Sequence, residues 1–421
     1  IVAVTCNVFT ILTAEDNGFH QFHTSIYNNV TLAWQDVDVR MISAYYDETE
    51  NGLWIGTYGG GVVYIDLKQG NVYKYRQKSH NETRGITMDK DGYLWIATYH
   101  KGLMRSDHPF LHDNPESLSF DVANNFKHSS PILCMYNDTT QNTLWLGSMQ
   151  GELFIYDCDK QKCKVVNLLE PGAIWSVLID SKRRVWIGGE KGLHLYRLES
   201  GECVPFSIGN KTSGDAKERY CVKAIAESSD GRIWVGIENR GLGRVLPDRT
   251  IRMGYGKEQQ LDKVDVLAIH ATSDRELYIG YANGLGVMDL DSERIVQRYT
   301  TRSGLYNNYI GCILEDTEHE IWVGSNSCIS RFDRKNKLFF HYLLSSNNKS
   351  AYAYRQFVFW GNNRSVTYFN PRLIDIVPTE KRIGISALEI DNRLVGIGDT
   401  IHGQVILKEN IYYAKKIMLN D

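Results

Sequence analysis

The chain has 421 residues, 43% hydrophobic and 11% aromatic, enough apolar side chain for one large β architecture or two to three ordinary domains. Lys plus Arg is 47 against 50 Asp plus Glu, a net charge of −3, so the cationic excess of a nucleic-acid-binding or polybasic membrane-surface protein is missing. Charged residues make up 23%, no tract is Ser-, Gln- or Pro-rich, and no apolar run approaches the roughly eighteen residues of a bilayer span; low-complexity disorder and a transmembrane helix are excluded.

The start, Ile1-Val2-Ala3-Val4, lacks an initiator Met and the cationic start and small-residue cleavage site of a secretory signal. The end, Met418-Leu419-Asn420-Asp421, falls inside a strand-like pattern, so the sequence reads as part of a longer polypeptide. Residues 1–38, with Ile11-Leu12-Thr13 and Gly18-Phe19, read as a partial or degenerate copy of a unit repeated through most of the chain.

From 39 to 375 one phrase recurs: an apolar stretch, a polar turn, a short aromatic-centred strand ending in Gly, a turn and another apolar strand. It is Leu53-Trp54-Ile55-Gly56, Leu94-Trp95-Ile96-Ala97, Leu144-Trp145-Leu146-Gly147, Val185-Trp186-Ile187-Gly188, Ile233-Trp234-Val235-Gly236, Leu277-Tyr278-Ile279-Gly280 and Ile321-Trp322-Val323-Gly324. The aromatics stand 41, 50, 41, 48, 44 and 44 residues apart, the period of a four-stranded propeller blade. A weaker copy, Val358-Phe359-Trp360-Gly361, follows 37 residues after Trp322 and leads into Ser365-Val366-Thr367-Tyr368-Phe369. The expectation is an all-β propeller of seven blades, with eight as the alternative.

Each part of the phrase has a physical reason. The apolar stretch, such as Ile310-Gly311-Cys312-Ile313-Leu314, is the innermost strand, packed between neighbouring blades. Turns such as Asp89-Lys90-Asp91-Gly92 supply a left-handed position for a tight hairpin. The aromatic fills the wedge between sheets, and the Gly after it lets the next blade approach.

With Leu53-Trp54-Ile55-Gly56-Thr57-Tyr58-Gly59-Gly60-Gly61 ending in Tyr64-Ile65-Asp66, the repeat resembles that of the regulator propellers in the extracytoplasmic half of hybrid two-component regulators of polysaccharide use. Tyr368-Phe369-Asn370-Pro371 resembles the exit from that family's last propeller. The segments Ile383–Asp391, Gln404–Leu407 and Ile411–Tyr413 look like the first strands of its tyrosine-rich, Ig-like β-sandwich, here 380–421. Ala97 and Tyr278 depart from the motif. The resemblance implies a periplasmic ligand-sensing domain, self-associating as a dimer. It would be joined through a transmembrane helix outside this sequence to a histidine kinase, a receiver and a DNA-binding module. The implied ligand is an oligosaccharide, with no cofactor, no metal and no enzymatic activity in this part. A propeller scaffold for protein partners and a carbohydrate-active propeller enzyme are the alternatives.

Enzymatic signals are weak. In Ser228-Ser229-Asp230-Gly231-Arg232-Ile233-Trp234 the Asp sits one residue before Gly, unlike the sialidase turn, and no two carboxylates are brought face to face by sequence alone. His108 and His112 flank Pro109, which argues against one helix face holding both, and His20 and His23 lie in strand-and-turn sequence. Gly59-Gly60-Gly61 lacks the Lys-Ser/Thr of a phosphate loop. Cys134, Cys221 and Cys312 read as buried inner-strand residues, whereas Cys158 and Cys163 bracket a hairpin turn across which a disulfide could close.

Ligand recognition is expected on the face where the turns after each second strand meet the links between blades. Those turns hold Tyr58, Tyr99-His100, Met149-Gln150, Glu190-Lys191, Glu238-Asn239-Arg240, Tyr281, Asn283 and Asn326; the links add Arg302 and Leu305-Tyr306-Asn307-Asn308. Equivalent inner-strand positions put Arg84, Trp175 and Lys223 at the funnel, where the two cations would suit an acidic saccharide. Rings that stack on pyranose faces and polar groups that bond hydroxyls are what a sugar site requires.

Overall fold

The computed structural model describes residues 81–110, 118–127, 130–167, 172–209, 219–326, 328–342, 348–363 and 365–373. It also describes strands at 2–4, 9–15, 18–21, 40–47, 52–58, 61–66 and 72–76, and short stretches at 389–390, 393–395, 399–401 and 404–405. The chain divides into two units, Ile1–Ile374 and Asp375–Asp421.

Seven antiparallel sheets make a closed ring. Blade 1 is Thr83–Met88, Tyr93–Thr98, Gly102–Pro109 and Phe120–Val122; blade 2 is Ile132–Asp138, Thr143–Ser148, Glu152–Asp157 and Lys162–Asn167. Blade 3 is Ile174–Ile179, Val185–Gly189, Gly192–Tyr196 and Cys203–Pro205; blade 4 is Val222–Glu227, Ile233–Ile237, Gly241–Val245 and Thr250–Tyr255. Blade 5 is Val266–Ala271, Glu276–Tyr281, Gly284–Asp289 and Arg294–Tyr299; blade 6 is Ile310–Glu315, Ile321–Ser325, Ile329–Asp333 and Leu338–Tyr342. Blade 7 takes three strands from the end of the ring, Ser350–Tyr354, Phe357–Gly361 and Ser365–Phe369, and its outermost strand, Val72–Arg76, from the beginning. Each inner strand packs on the next, and the last returns to the first, where the Ser350 hydroxyl donates to the Thr83 carbonyl at 3.2 Å.

The blade count is seven, but not the seven copies that match best in sequence. The copy centred on Trp54 lies in a separate three-stranded sheet, Arg40–Asp47, Gly52–Tyr58 and Gly61–Asp66, and the weak copy at 358–361 supplies the seventh blade. Ring strands therefore run from Val72 to Phe369, against the expected start at 39. The expected partial blade at 1–38 has three antiparallel strands, Val2–Val4, Phe9–Glu15 and Gly18–Gln21. In the second unit the described strands are two short antiparallel pairs, Glu389–Ile390 with Arg393–Leu394 and Thr400–Ile401 with Gln404–Val405. The rest of the expected sandwich lies outside the described residues.

Seven hydrophobic clusters fill the seven seams. Trp95, Trp145, Trp186, Trp234, Tyr278, Trp322 and Phe359 each project from a second strand into the seam with the following blade, all 2% exposed or less. The Gly two residues on is a true close approach: a Cβ on Gly236 would stand 2.5 Å from the Val266 side chain, and one on Gly147 2.5 Å from Ile174. Blade 1 tolerates Ala97 there. The left-handed residue of the first hairpin turn is Gly in only some blades. Arg183 (φ 60°), Arg275 (φ 69°) and His319 (φ 65°) fill the place of Gly92 and Gly231.

Candidate functional site

The inner strands carry a repeated irregularity that organises one end of the ring. In six blades the pairing of first and second strand skips one residue near the start of the first strand. The skipped residues are Arg84, Leu133, Trp175, Lys223, Leu267 and Gly311; blade 7 pairs without a break from Ser350 to Tyr354. A β-bulge leaves its extra residue out of the ladder and re-aims its side chain. Repeated around the ring, it collects these residues at the funnel mouth, beside the turns that follow the second strands.

Two constellations form there. In blades 3 and 4 the Lys223 ammonium lies 3.7 Å from the centroid of the Trp175 ring and 3.5 Å from the Glu238 carboxylate. The Trp175 indole N–H is buried without a partner. Glu190 reaches the same region and accepts the backbone N–H of Ala173 at 3.3 Å. Cys221 lies alongside, its thiol pushed up to about 11 by burial despite the neighbouring Lys223. In blade 1 the Arg84 guanidinium pairs with Glu82 at 2.5 Å and lies 5.6 Å from the centroid of the Tyr99 ring, while Arg84 Nε is buried and unbonded. The Tyr99 hydroxyl donates to Met149 Sδ at 3.5 Å. Lys349, 5.0 Å from the Tyr309 ring, adds a third cation from the link before blade 7.

Arg84 and Lys223 thus each have a carboxylate of their own, and the acidic ligand expected from those two cations loses its main support. What remains at the funnel mouth are aromatic faces beside two buried groups with unmet hydrogen-bonding capacity, Trp175 Nε1 and Arg84 Nε.

Several expected residues are placed elsewhere. Tyr281 is fully buried among Leu277, Ile279 and Met288 and its hydroxyl has no partner; burial raises its pKa well above the usual phenol value. It is core because it is the last ladder residue of its strand, opposite Val266, where blade 4 has the buried Ile237. The Tyr306 ring lies 5.5 Å from that of His341 on the outermost strand of blade 6, turned away from the inner strands. Asn308 accepts the backbone N–H of Thr301 at 2.8 Å and so ties its own link together; Arg302 is exposed on the short helical turn Thr301–Ser303. Arg240 is half-buried in the turn that holds Glu238. The Tyr58 side chain lies outside the described residues, as do His23 and His112.

Cys158 and Cys163 are free thiols. The ladder sets Cys163 opposite Tyr156 and Lys162 opposite Asp157, which offsets the two cysteines, and both lean on the core of the seam between blades 1 and 2. Burial raises their thiols to about 11 and about 12 for Cys163 and Cys158. Among the described residues no group of three or more His, Cys, Asp or Glu is placed to hold a metal ion. Glu320, which burial holds above the usual carboxylate range, lies in the first hairpin turn of blade 6, on the opposite face from the funnel mouth.

The two-component regulator propeller family matches residues 77–100 and 304–327, the opening strands of blade 1 and of blade 6 with their links. The chain is 26% identical over 394 residues to Histidine kinase P4 of Formosa agariphila, across 86% of this chain and 28% of the kinase. Among solved structures, the extracellular domain of a B. thetaiotaomicron hybrid two-component system, BT3049, superposes with a TM-score of 0.59 at 20% identity, over 83% of this chain and 47% of that one. A second such domain, BT4673, gives 0.57 at 16% identity over 98% and 55%. The WD40 propeller of Doa1 gives 0.56 at 11% identity over 72% and 98%. The chain thus spans about a quarter of the kinase and half of each ectodomain. It carries two-component regulator propeller repeats on the fold of the extracellular domains of hybrid two-component systems.

Proposed function

We propose that the ring is the periplasmic sensing part of a hybrid two-component regulator, and that its funnel mouth binds an oligosaccharide. Binding would be passed, through a rearrangement between paired copies, to a histidine kinase carried elsewhere in the longer protein. The observation that carries this reading is the repeated bulge. Six blades give up a ladder position at the same point of the inner strand, and in blades 3 and 4 the result is an indole face and a cation with the Glu190 and Glu238 carboxylates beside them. A pyranose would stack on Trp175 and take hydrogen bonds from Lys223 and to Glu238.

Titration calorimetry with a panel of uncharged oligosaccharides tests it. One or more should bind, and Trp175→Ala should weaken that binding at least about tenfold, roughly 1.4 kcal/mol, with an unchanged unfolding midpoint. No heat with any member, or binding untouched by Trp175→Ala, would count against the funnel.

A further inference from the structure

The opposite face carries a feature the funnel does not use. Between blades 3 and 4 lies a cleft of about 590 Å³ whose rim is cationic: Lys182, Arg184, Arg197, Arg232, Arg244 and Arg249, with no Asp or Glu in its lining. These come from the first and last hairpin turns of both blades and the strands beside them, far apart in sequence. In a chain of net charge −3 such convergence runs against the overall balance.

Most of the rim is held in place from behind. Asp180 binds Arg184 at 2.6 Å, Glu202 binds Arg197 at 2.9 Å, and Glu293 is shared by Arg232, Arg244 and, at 3.8 Å, Arg252. Asp230 takes Arg232 as well. Among the described residues Lys182 and Arg249 have no carboxylate partner, and both are exposed. They are nevertheless presented by fixed turns. Asp180 accepts the backbone N–H of Lys182 at 3.0 Å, and the Arg249 turn is closed by Leu246 N–H to the Thr250 carbonyl at 2.8 Å.

A short strand crosses from blade 3 to blade 4 beside the cleft. After Cys203–Pro205 the chain leaves blade 3, and Ser207–Ile208 pairs in parallel with Thr250 and Ile251, adding an edge strand to the sheet of blade 4. The same crossing occupies the start of the outer edge of blade 4, at Thr250 and Ile251, where a peptide strand would otherwise add. The apolar floor comes from Leu195, Phe206 and Val245, while Trp186 is only 2% exposed and offers no face for a nucleobase.

We infer that this cleft is a second binding site, for the sulfate or carboxylate groups of an acidic oligosaccharide. The unpaired Arg249 guanidinium fork matches those oxyanions, Lys182 adds a second cation without a carboxylate, and the apolar floor suits the C–H face of a sugar ring. The inference stands independently of the funnel.

The test is calorimetric titration of the whole chain with a heparin-derived hexasaccharide, an uncharged dextran hexasaccharide, inorganic sulfate and a short duplex DNA. The sulfated hexasaccharide should bind, more weakly as salt rises, and the dextran should not compete for the same site. Lys182→Gln combined with Arg249→Gln should weaken the hexasaccharide at least about tenfold with the unfolding midpoint unchanged, while Trp175→Ala leaves it unchanged. Undiminished affinity in the double variant overturns the site. Sulfate or DNA binding as tightly as the hexasaccharide overturns its assignment to an acidic glycan.

Discussion

Asp180 accepts the indole N–H of Trp186 at 2.8 Å, so the side chain that closes a surface turn also anchors the wedge inside the seam. Its other oxygen accepts the backbone N–H groups of Lys182 and Arg184. Asp89 with Trp95 and Asp316 with Trp322 repeat the arrangement, and in blade 4 the Ser228 hydroxyl takes the place of the carboxylate. Removing the carboxylate strands the buried indole N–H, at a cost of about 1–3 kcal/mol, and leaves the two part-buried turn N–H groups to water at a smaller cost. Asp180→Ala should lower the unfolding free energy by about 2–4 kcal/mol and Ser228→Ala by about 1–2 kcal/mol. Urea unfolding checks the pair; equal losses would show that the carboxylate gives nothing beyond a hydroxyl.

Ring closure makes a sharper prediction. Val72–Arg76 completes blade 7, with Tyr73 stacked on Tyr368 at 5.2 Å and Tyr75 against Phe120 of blade 1 at 4.5 Å. A chain starting at residue 67 should keep one cooperative unfolding transition. One starting at residue 78 should lose it or shift it sharply downward, because the Ser365–Phe369 edge is bared and two aromatic contacts go with the strand. Differential scanning calorimetry of the two truncations decides the matter, and matching transitions would refute closure by this strand.

That closure explains what could be read from the sequence. Blade length and the aromatic wedge were legible because they recur at a fixed local spacing, and six of the seven wedges are the aromatics of strong copies. Whether Trp54 or Phe359 belongs to the ring depends on a strand at 72–76 pairing with one at 365–369, and a pairing so distant leaves no local pattern. In the funnel, Arg84, Trp175 and Lys223 were legible as one repeated position. Leu133, Leu267 and Gly311 share it but carry no polar group that would mark the position in the sequence. Tyr281 holds the ladder-end position that the apolar Ile237 fills one blade earlier, a core position that its hydroxyl disguises in the sequence.

Tyr281 itself offers a test free of any ligand. Its hydroxyl is buried and unbonded, so the folded state bears a desolvated polar group with no return. Tyr281→Phe should be neutral or stabilising by up to about 1 kcal/mol, and it should leave oligosaccharide binding at the funnel unchanged. Thermal and urea unfolding measure the first and calorimetry the second. A loss of more than about 1 kcal/mol would mean that the hydroxyl has a partner in solution.

Glu315 of blade 6 bonds two imidazoles, His270 Nε2 of blade 5 at 2.8 Å and His319 Nδ1 of its own hairpin turn at 2.7 Å. The hydrogen bond with His270, then that with His319, outweigh burial and hold its carboxyl below the ordinary value of 4.5. A carboxyl whose pKa is lowered on folding binds fewer protons folded than unfolded around that value, so its stabilisation is complete above the ordinary glutamate range and fades as acid takes the pH below it. Glu315→Gln should therefore be less stable than the natural chain by about 1–2 kcal/mol at pH 7, and the gap should close towards pH 3. Urea midpoints collected from pH 3 to pH 7 give the comparison. A gap that stays constant over that interval would mean that the loss comes from packing and not from the carboxylate's charge.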